Sequence, residues 1–349
     1  MKNKILVSIV SEQTLPNYLF IKEFQKEIDV FLFISTQEME QKNKTTLIYE
    51  TAGIVKNNIR KILINEDELY LVKNKLHKLG WQNKNNEYFV NITGGTKLMS
   101  NAVYEYFKQY NSRFFYLPIG KNIYKEVYDN KKAESFSIKY NISVKEYLKI
   151  YGIRFEKEDN IYTEEQCNEL LKDVRATQYD INKFPKNKIK KFNLSHLNKQ
   201  IHTKWFEEFL YYKIKKILNL NKDKIATGIK LFEIKNEKEH KNYNNDNELD
   251  LFFIYKNNPY LIEAKFSVGK NINATVLNNY IFKLSSINKR FGLRAKATLM
   301  TLADFNVRSV TFKENLNIRS KIANVYFPFD RNNLLNDKVF KISLKQFLK

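Results

Sequence analysis

The sequence predicts two α/β domains joined by a small helical connector, on three observations. The first 140 residues alternate short β-branched apolar runs with helical spacings, the pattern of βαβ units on a parallel sheet with helices on both faces. Residues 201–349 open with an amphipathic helix and continue as three strands, a helix and a strand, which reads as a compact mixed sheet flanked by helices. Between them, residues 144–200 read as charged helices and a basic stretch. The boundaries follow as 1–143, 144–200 and 201–349, and a length of 349 residues suits this division.

In the first domain, Ile5–Val10 and Val30–Ile34 are apolar runs of strand length. Pro16–Ile28 between them places Leu19, Phe20, Phe24 and Ile28 at helical spacing. Lys61–Ile64 is a further strand and Glu66–Leu79 a helix. Tyr88–Ile92 is a strand entering Thr93-Gly94-Gly95-Thr96, followed by a helix over Lys97–Tyr110 and a strand over Ser112–Leu117. In the connector, Val144–Tyr151 and Thr163–Gln178 read as helices. Ile181–Lys204 carries seven Lys and no acid, which reads as a solvated basic linker. Beyond it come a helix (Ile201–Leu218) and strands at Lys224–Ile234, Glu248–Tyr255 and Tyr260–Phe266. The polar turn Asn236–Asn247, with His240 facing solvent, separates the first two strands. A helix over Ala274–Arg290 and a strand over Arg294–Thr301 complete the pattern.

Composition removes whole classes. Hydrophobic residues at 43% and aromatics at 14% exclude a disordered chain. With 9 Gly, 5 Pro and 1 Cys, collagen-like and disulfide-scaffold readings fall as well. The lone Cys167 permits no intrachain disulfide, suits a reducing cytoplasm, and reads as a plain structural or surface cysteine. No apolar run approaches the ~18 residues of a membrane span. The start, MKNKILVSIVSEQ, has a basic tip but only a six-residue apolar core and no small-residue cleavage site, so it reads as a buried strand. Net charge is +22, of which residues 144–349 carry +16 (39 basic, 23 acidic) and residues 1–143 carry +6 (21 basic, 15 acidic). The second half is therefore the expected polyanion handler.

The chemistry-bearing stretch is Asn247-Glu248-Leu249-Asp250-Leu251 followed by Tyr260-Leu261-Ile262-Glu263-Ala264-Lys265. As two strands around an Asn257-Asn258-Pro259 turn, period-two alternation puts Glu248 and Asp250 on one face and Leu249 and Leu251 on the other. Glu263 and Lys265 share a face, with Ile262 and Ala264 behind. A hairpin brings Asp250 near Glu263, and two carboxylates backed by buried aliphatics call for a compensating cation. A hard divalent ion, Mg²⁺ or Mn²⁺, takes carboxylate and carbonyl oxygens and lowers the pKa of an attacking water. Lys265 can orient that water or stabilise charge developing on phosphorus.

Trp205-Phe206-Glu207-Glu208, Glu248-Leu249-Asp250 and Glu263-Ala264-Lys265 together resemble the PD-(D/E)xK nuclease superfamily. The resemblance implies a restriction-endonuclease-like domain in which Asp250, Glu263 and Ala264 hold the metal and Lys265 is the catalytic lysine. Glu248 becomes the supporting acid and Glu207 the helix acid, although the helical wheel sets Glu208 nearer the apolar edge. The PD dipeptide is replaced by Glu248-Leu249-Asp250. Lys283 on the next helix reads as a surface lysine within reach of a phosphate.

In the first half, Asn91-Ile92-Thr93-Gly94-Gly95-Thr96-Lys97-Leu98-Met99 joins a strand to a helix. Its glycines admit an anion to the backbone, and the helix start offers free N–H groups, hydroxyls and a lysine. Neither the G-x-x-x-x-G-K-S/T nor the G-x-G-x-x-G spacing is met. This loop and Ser11-Glu12-Gln13-Thr14-Leu15-Pro16-Asn17 resemble the ligand-binding loops of the CARF (CRISPR-associated Rossmann fold) sensors. The order of the two resemblances is that of the CARF nucleases of type III CRISPR antiviral defence. That family implies a homodimer binding a cyclic oligoadenylate, usually cyclic tetra-adenylate, through Gln13, Thr14, Asn91, Thr93, Gly94, Gly95, Thr96 and Lys97. It further implies metal-dependent, ring-activated cleavage of single-stranded DNA or RNA, or nicking of duplex DNA. Two rival readings keep part of the pattern: a constitutive restriction or repair nuclease, and a nucleotide-sensing DNA-binding regulator.

Overall fold

Among the described residues, one seven-stranded and one six-stranded sheet organise the chain, one in each of two units, residues 1–154 and 155–349. The computed structural model describes residues 3–65, 69–78, 85–179, 201–232, 247–266 and 274–349. The basic stretch 181–200 and most of the predicted 236–247 turn lie outside the described residues.

The first unit contains β1 (Lys4–Ile9), α1 (Thr14–Phe24), β2 (Val30–Ser35), α2 (Gln37–Gln41), α3 (Lys44–Ala52) and β3 (Ile59–Leu63). These are followed by α4 (Leu69–Lys78), β4 (Glu87–Asn91), α5 (Lys97–Phe107), β5 (Ser112–Tyr116), β6 (Ile123–Val127), β7 (Glu134–Ser137) and α6 (Val144–Ile150). The sheet order is β3-β2-β1-β4-β5-β6-β7. The first five strands are parallel, and β6 and β7 run antiparallel to their neighbours. Strand order reverses between β1 and β4, so the loops after them flank the crevice where open α/β sheets take ligands. Both faces are covered, as the continuous apolar strands require. Ile5, Val7, Ile9, Tyr88 and Val90 pack with Met99, Val103 and Phe107 of α5, while Phe89 and Phe115 point the other way against Phe20 and Phe24 of α1. The sequence pattern did not predict β6 and β7. Apart from the buried Glu126, their residues are half-buried or exposed, and β7 (Glu-Ser-Phe-Ser) has no buried residue at all.

The second unit contains β8 (Arg154–Lys157), α7 (Glu164–Ala176), α8 (Ile201–Leu218), β9 (Ile225–Phe232), β10 (Asn247–Tyr255) and β11 (Asn258–Lys265). Then come α9 (Ala274–Asn288), β12 (Lys296–Thr301), α10 (Val310–Ile322), β13 (Tyr326–Phe329), α11 (Arg331–Leu335) and α12 (Asp337–Phe347). Sheet order is β13-β12-β11-β10-β9-β8, with β9, β10 and β11 antiparallel and β11, β12 and β13 parallel. Trp205, Phe206, Leu210 and Ile214 of α8 pack on Leu251, Phe253, Ile262 and Ala264 and join Phe340, Leu344 and Phe347 of α12 in one core. Helix α9 packs on β11 and β12. Cys167 of α7 sits in the α8 core, 1% exposed, where burial pushes its thiol up.

The segment read as a connector is divided between the units: α6 ends the first, while β8 and α7 belong to the second. The hairpin turn is Lys256-Asn257, with φ 49° and 58°, one residue earlier than expected, and Asn258 and Pro259 open β11. Two successive left-handed residues make the two-residue turn whose twist matches the flanking strands. Among the described residues no helix is long and apolar enough to cross a membrane.

Candidate functional site

Among the described residues, the side chains singled out from the sequence gather in two places, one in each unit. In the first unit, parallel pairing sets Ser8 of β1 beside Asn91 of β4, so both following loops leave the same sheet edge. Gly94 is dictated by this closeness: a Cβ there would lie 2.2 Å from the Ile9 carbonyl oxygen. Gly95 has φ 76°, the left-handed region that glycine occupies without cost. A ladder of amides fixes the loop. Asn17 Nδ2 donates to the Ile9 carbonyl at 2.8 Å, and Asn91 Nδ2 donates to Asn17 Oδ1 at 2.9 Å. The Thr93 N–H donates to Asn91 Oδ1 at 3.0 Å, and Thr93 Oγ1 accepts from Leu117 N at 2.9 Å. Thr96 caps α5, its Oγ1 accepting from Met99 N at 3.2 Å.

Of the eight predicted ligand residues, Gly95, Thr96 and Lys97 are exposed and Gln13 and Thr93 half-buried. Asn91 is fully buried and serves the loop's own hydrogen bonds. Thr14 is turned away: it is 0% exposed and its hydroxyl donates to the Ile150 carbonyl at the end of α6, 2.8 Å distant. Sequence reasoning missed Asn17 and a cationic pair beside the first loop. Glu12 binds Lys42 and Lys44, the latter at 3.2 Å. Burial would raise the Glu12 carboxyl, but these two ammonium groups hold it below its ordinary value. The signal available was the pair of lysines in Gln41-Lys42-Asn43-Lys44, which only the fold brings to Glu12.

In the second unit the registered pairing of β10 with β11 ends at Leu251 and Ile262. One step further the strands part, and the Asp250 side chain replaces the ladder: its Oδ2 accepts the Ala264 N–H at 2.7 Å. Continuing the register would set Asp250 opposite Glu263. Both are buried, at 7% and 1% exposure. Lys265 bridges them, its Nζ 2.8 Å from Asp250 Oδ2 and 2.9 Å from Glu263 Oε1, and lies over the Tyr280 ring at 5.2 Å. Lys283 of α9 reaches both oxygens of Glu263 at 3.2 Å, so it is no plain surface lysine. Burial, and then the charge of Glu263, raise Asp250 to about 6 against the pull of Lys265 and the Ala264 amide. Burial alone would lower the Lys265 ammonium; Asp250 and Glu263 overcome this and hold it above the ordinary lysine value.

The two glutamates of α8 separate cleanly. Glu208, 0% exposed, accepts the N–H groups of Ile161 and Tyr162 at 2.8 and 2.7 Å and so braces the chain after β8. Glu207 faces the acidic site. Burial, then Asp250, with Glu248 adding, lift it to about 9 despite Lys265 and Lys204. Glu248 is half-buried and registers opposite Lys230 of β9, which pairs with Glu158 at 2.7 Å. Among the described residues no three His, Cys, Asp or Glu side chains converge as a ready metal cage. Two carboxylates meet instead, with two ammonium groups between and beside them.

Comparison with known proteins bears on the first unit most directly. Residues 5–147 match the Card1 CARF domain family. That CARF match spans β1 through most of α6. Among solved structures, Can2 from Sulfobacillus thermosulfidooxidans, in complex with cyclic tetra-adenylate, is 18% identical with a TM-score of 0.68, covering 99% of both chains. Protein VC1899 from Vibrio cholerae is 16% identical with a TM-score of 0.70, over 99% of this chain and 98% of that one. A type III CRISPR defence DNA nuclease activated by cyclic oligoadenylate is 15% identical with a TM-score of 0.59, over 86% of this chain and 45% of its own. No curated protein matches the chain. The two-unit α/β fold, with a CARF-type first unit, is thus shared along the whole chain.

Proposed function

We propose that this chain is a cyclic-oligoadenylate-activated, divalent-metal-dependent endonuclease of type III CRISPR defence, with a PD-(D/E)xK site in its second unit. One observation carries the reading: Asp250, Glu263 and Lys265 meet where β10 and β11 part, on a fold shared with a cyclic tetra-adenylate complex and a ring-activated DNA nuclease. In the CARF-type unit, Gln13, Thr93, Gly94, Gly95, Thr96 and Lys97 line the crevice loops and receive the ring, cyclic tetra-adenylate being the favoured one. A second copy of the chain supplies the matching half, since a two-fold ring suits an isologous dimer.

The acidic site fits a divalent cation. Its donors are all oxygens, the Asp250 and Glu263 carboxylates with the Ala264 main chain, as Mg²⁺ and Mn²⁺ prefer. The two ammonium groups on these carboxylates carry the same positive charge as one such ion. When bound, the ion would polarise a phosphate oxygen and acidify water.

The chain's own residues do the rest. Asp250, anchored by the Ala264 N–H, is held in one orientation. With Asp250 and Glu263 beside it, the Lys265 ammonium is held above the ordinary lysine value, so it can donate hydrogen bonds to water or to a phosphate oxygen. Glu207, neutral when its carboxyl is lifted to about 9, can hold a proton beside the reacting groups. The +16 of residues 144–349 favours backbone-led binding of nucleic acid.

The test is cleavage of labelled single-stranded DNA, single-stranded RNA and supercoiled plasmid with Mn²⁺ or Mg²⁺, with and without cyclic tetra-adenylate, and with EDTA. Cleavage requiring both metal and ring is the expected result. Cleavage without the ring favours the constitutive nuclease, and binding without cleavage under any condition favours the regulator. Lys97→Ala should raise the ring concentration needed for activation.

A further inference from the structure

We infer that Lys283 is a displaceable counter-ion of the acidic site, holding the place on Glu263 that a divalent cation takes and, once displaced, offering its ammonium to substrate phosphate. The inference rests on the nuclease reading above.

The two lysines on Glu263 are not equivalent. Lys265 lies on the same strand, contacts both Asp250 and Glu263 at 2.8 and 2.9 Å, and has Tyr280 beneath it. These are the lengths of good charge-assisted hydrogen bonds, and only 24% of its side chain is exposed. Lys283 comes from another element, α9, and among the described residues its ion pair is with Glu263, at 3.2 Å to each oxygen. Its side chain is 39% exposed while that of Glu263 is 1% exposed. A flexible four-carbon stem at the mouth of the site can withdraw into water with little loss, whereas a bare Glu263 carboxylate cannot be left uncompensated.

Charge balance gives the exchange its direction. Asp250 and Glu263 are matched by Lys265 and Lys283, so a divalent ion arriving with both lysines in place would leave two excess positive charges in a buried site. Withdrawing Lys283 halves that excess and releases Glu263 Oε2 from its ammonium contact, while Oε1 keeps Lys265. The released cation stays tethered on α9, one turn or less from Tyr280, where a phosphate bound to the ion would lie within its reach.

The experiment is calorimetric titration of the full chain with MnCl₂ in the absence of nucleic acid, for wild type, Lys283→Met, Lys283→Arg and Glu263→Gln. Removing the competing ammonium should tighten Mn²⁺ binding by on the order of fivefold in Lys283→Met, the scale of a part-exposed ion pair. Lys283→Arg should restore wild-type affinity, and Glu263→Gln should abolish binding. At saturating Mn²⁺ and ring, Lys283→Met should raise the KM for single-stranded DNA. Mn²⁺ binding that is unchanged or weaker in a folded Lys283→Met protein would overturn the counter-ion role while leaving the nuclease reading intact. Wild type that takes up no Mn²⁺ would overturn both.

Discussion

Asp250 accepts the main-chain N–H of Ala264 at 2.7 Å, so a side chain completes a ladder that the two backbones have abandoned. The same oxygen takes the Lys265 ammonium at 2.8 Å. Asp250→Asn keeps an acceptor for the amide but loses the charge; it should fold with nearly wild-type stability and show no cleavage. Asp250→Ala strands a buried N–H and a part-buried ammonium, at a cost of about 1–3 kcal/mol. Thermal unfolding of the two variants side by side, with a cleavage assay on each, checks this.

The lifted carboxyl of Glu207 makes stability depend on pH. The unfolded chain releases this proton near the ordinary glutamate value of about 4.3, the folded chain only at about 9. Between these values the native state binds the extra proton, so stability falls as pH rises through the window and levels above it. Asp250, at about 6, adds a smaller contribution of the same sign. Glu207→Gln should flatten the decline between pH 6 and 8.5 and be the more stable protein at pH 8.5, as followed by thermal melts in EDTA. An equal slope in both proteins would contradict the placement of Glu207 beside Asp250.

Gly94 has no room for a methyl group, because the Ile9 carbonyl oxygen would stand 2.2 Å from it. Gly94→Ala should part the two crevice loops, cost about 1–3 kcal/mol as overpacking does, and weaken cyclic tetra-adenylate binding at least tenfold. Gly95→Ala, at φ 76°, carries a left-handed penalty of about 1–2 kcal/mol. Fluorescence-based ring titration and denaturant midpoints measure both effects.

Thr14 donates its hydroxyl to the Ile150 carbonyl, deep inside the first unit. Thr14→Val preserves shape but leaves that carbonyl unpaired, at about 1–3 kcal/mol, and Thr14→Ser should recover most of the loss. Ring affinity should change little in either, in contrast to Lys97→Ala. A large loss of ring affinity in a stably folded Thr14→Val protein would return Thr14 to the ligand set.

Local pattern was enough for much of this. The bounds of α8 follow from its amphipathic spacing, and β1, β4 and the start of α5 fall within a residue of their expected limits because strong apolar runs end at polar loops. The hairpin that presents Asp250 and Glu263 was legible from period-two alternation. Tertiary facts were not. The wheel sets Glu208 nearer the apolar edge, and Glu208 is indeed the more buried, yet burial there serves the amides of Ile161 and Tyr162 from a distant segment. Thr14 beside a glycine-lined crevice reads as a ligand contact until α6 returns to claim its hydroxyl. The grip of Lys283 on Glu263 depends on how α9 crosses the sheet, which no spacing encodes. Helix α10 (Val310–Ile322) carries only a weak amphipathic signal, interrupted by exposed Val310, Ile318 and Ile322, whereas α12 sets Phe340, Leu344 and Phe347 on one buried face, a spacing open to sequence reading.

The two-residue turn at Lys256-Asn257 also bears on how the molecule assembles. A hairpin closed so tightly forms in roughly microseconds, long before sequence-distant strands pair. Asp250 and Glu263 therefore approach each other early, as like charges just beyond the paired end of the hairpin, with Lys265 on the same hairpin and Glu207 and Lys283 still to arrive on helices. The paired acids of the proposed site thus oppose closure of the hairpin that carries them. Moderate salt, which screens that repulsion, should quicken refolding of the second unit, and Glu263→Gln should remove the dependence.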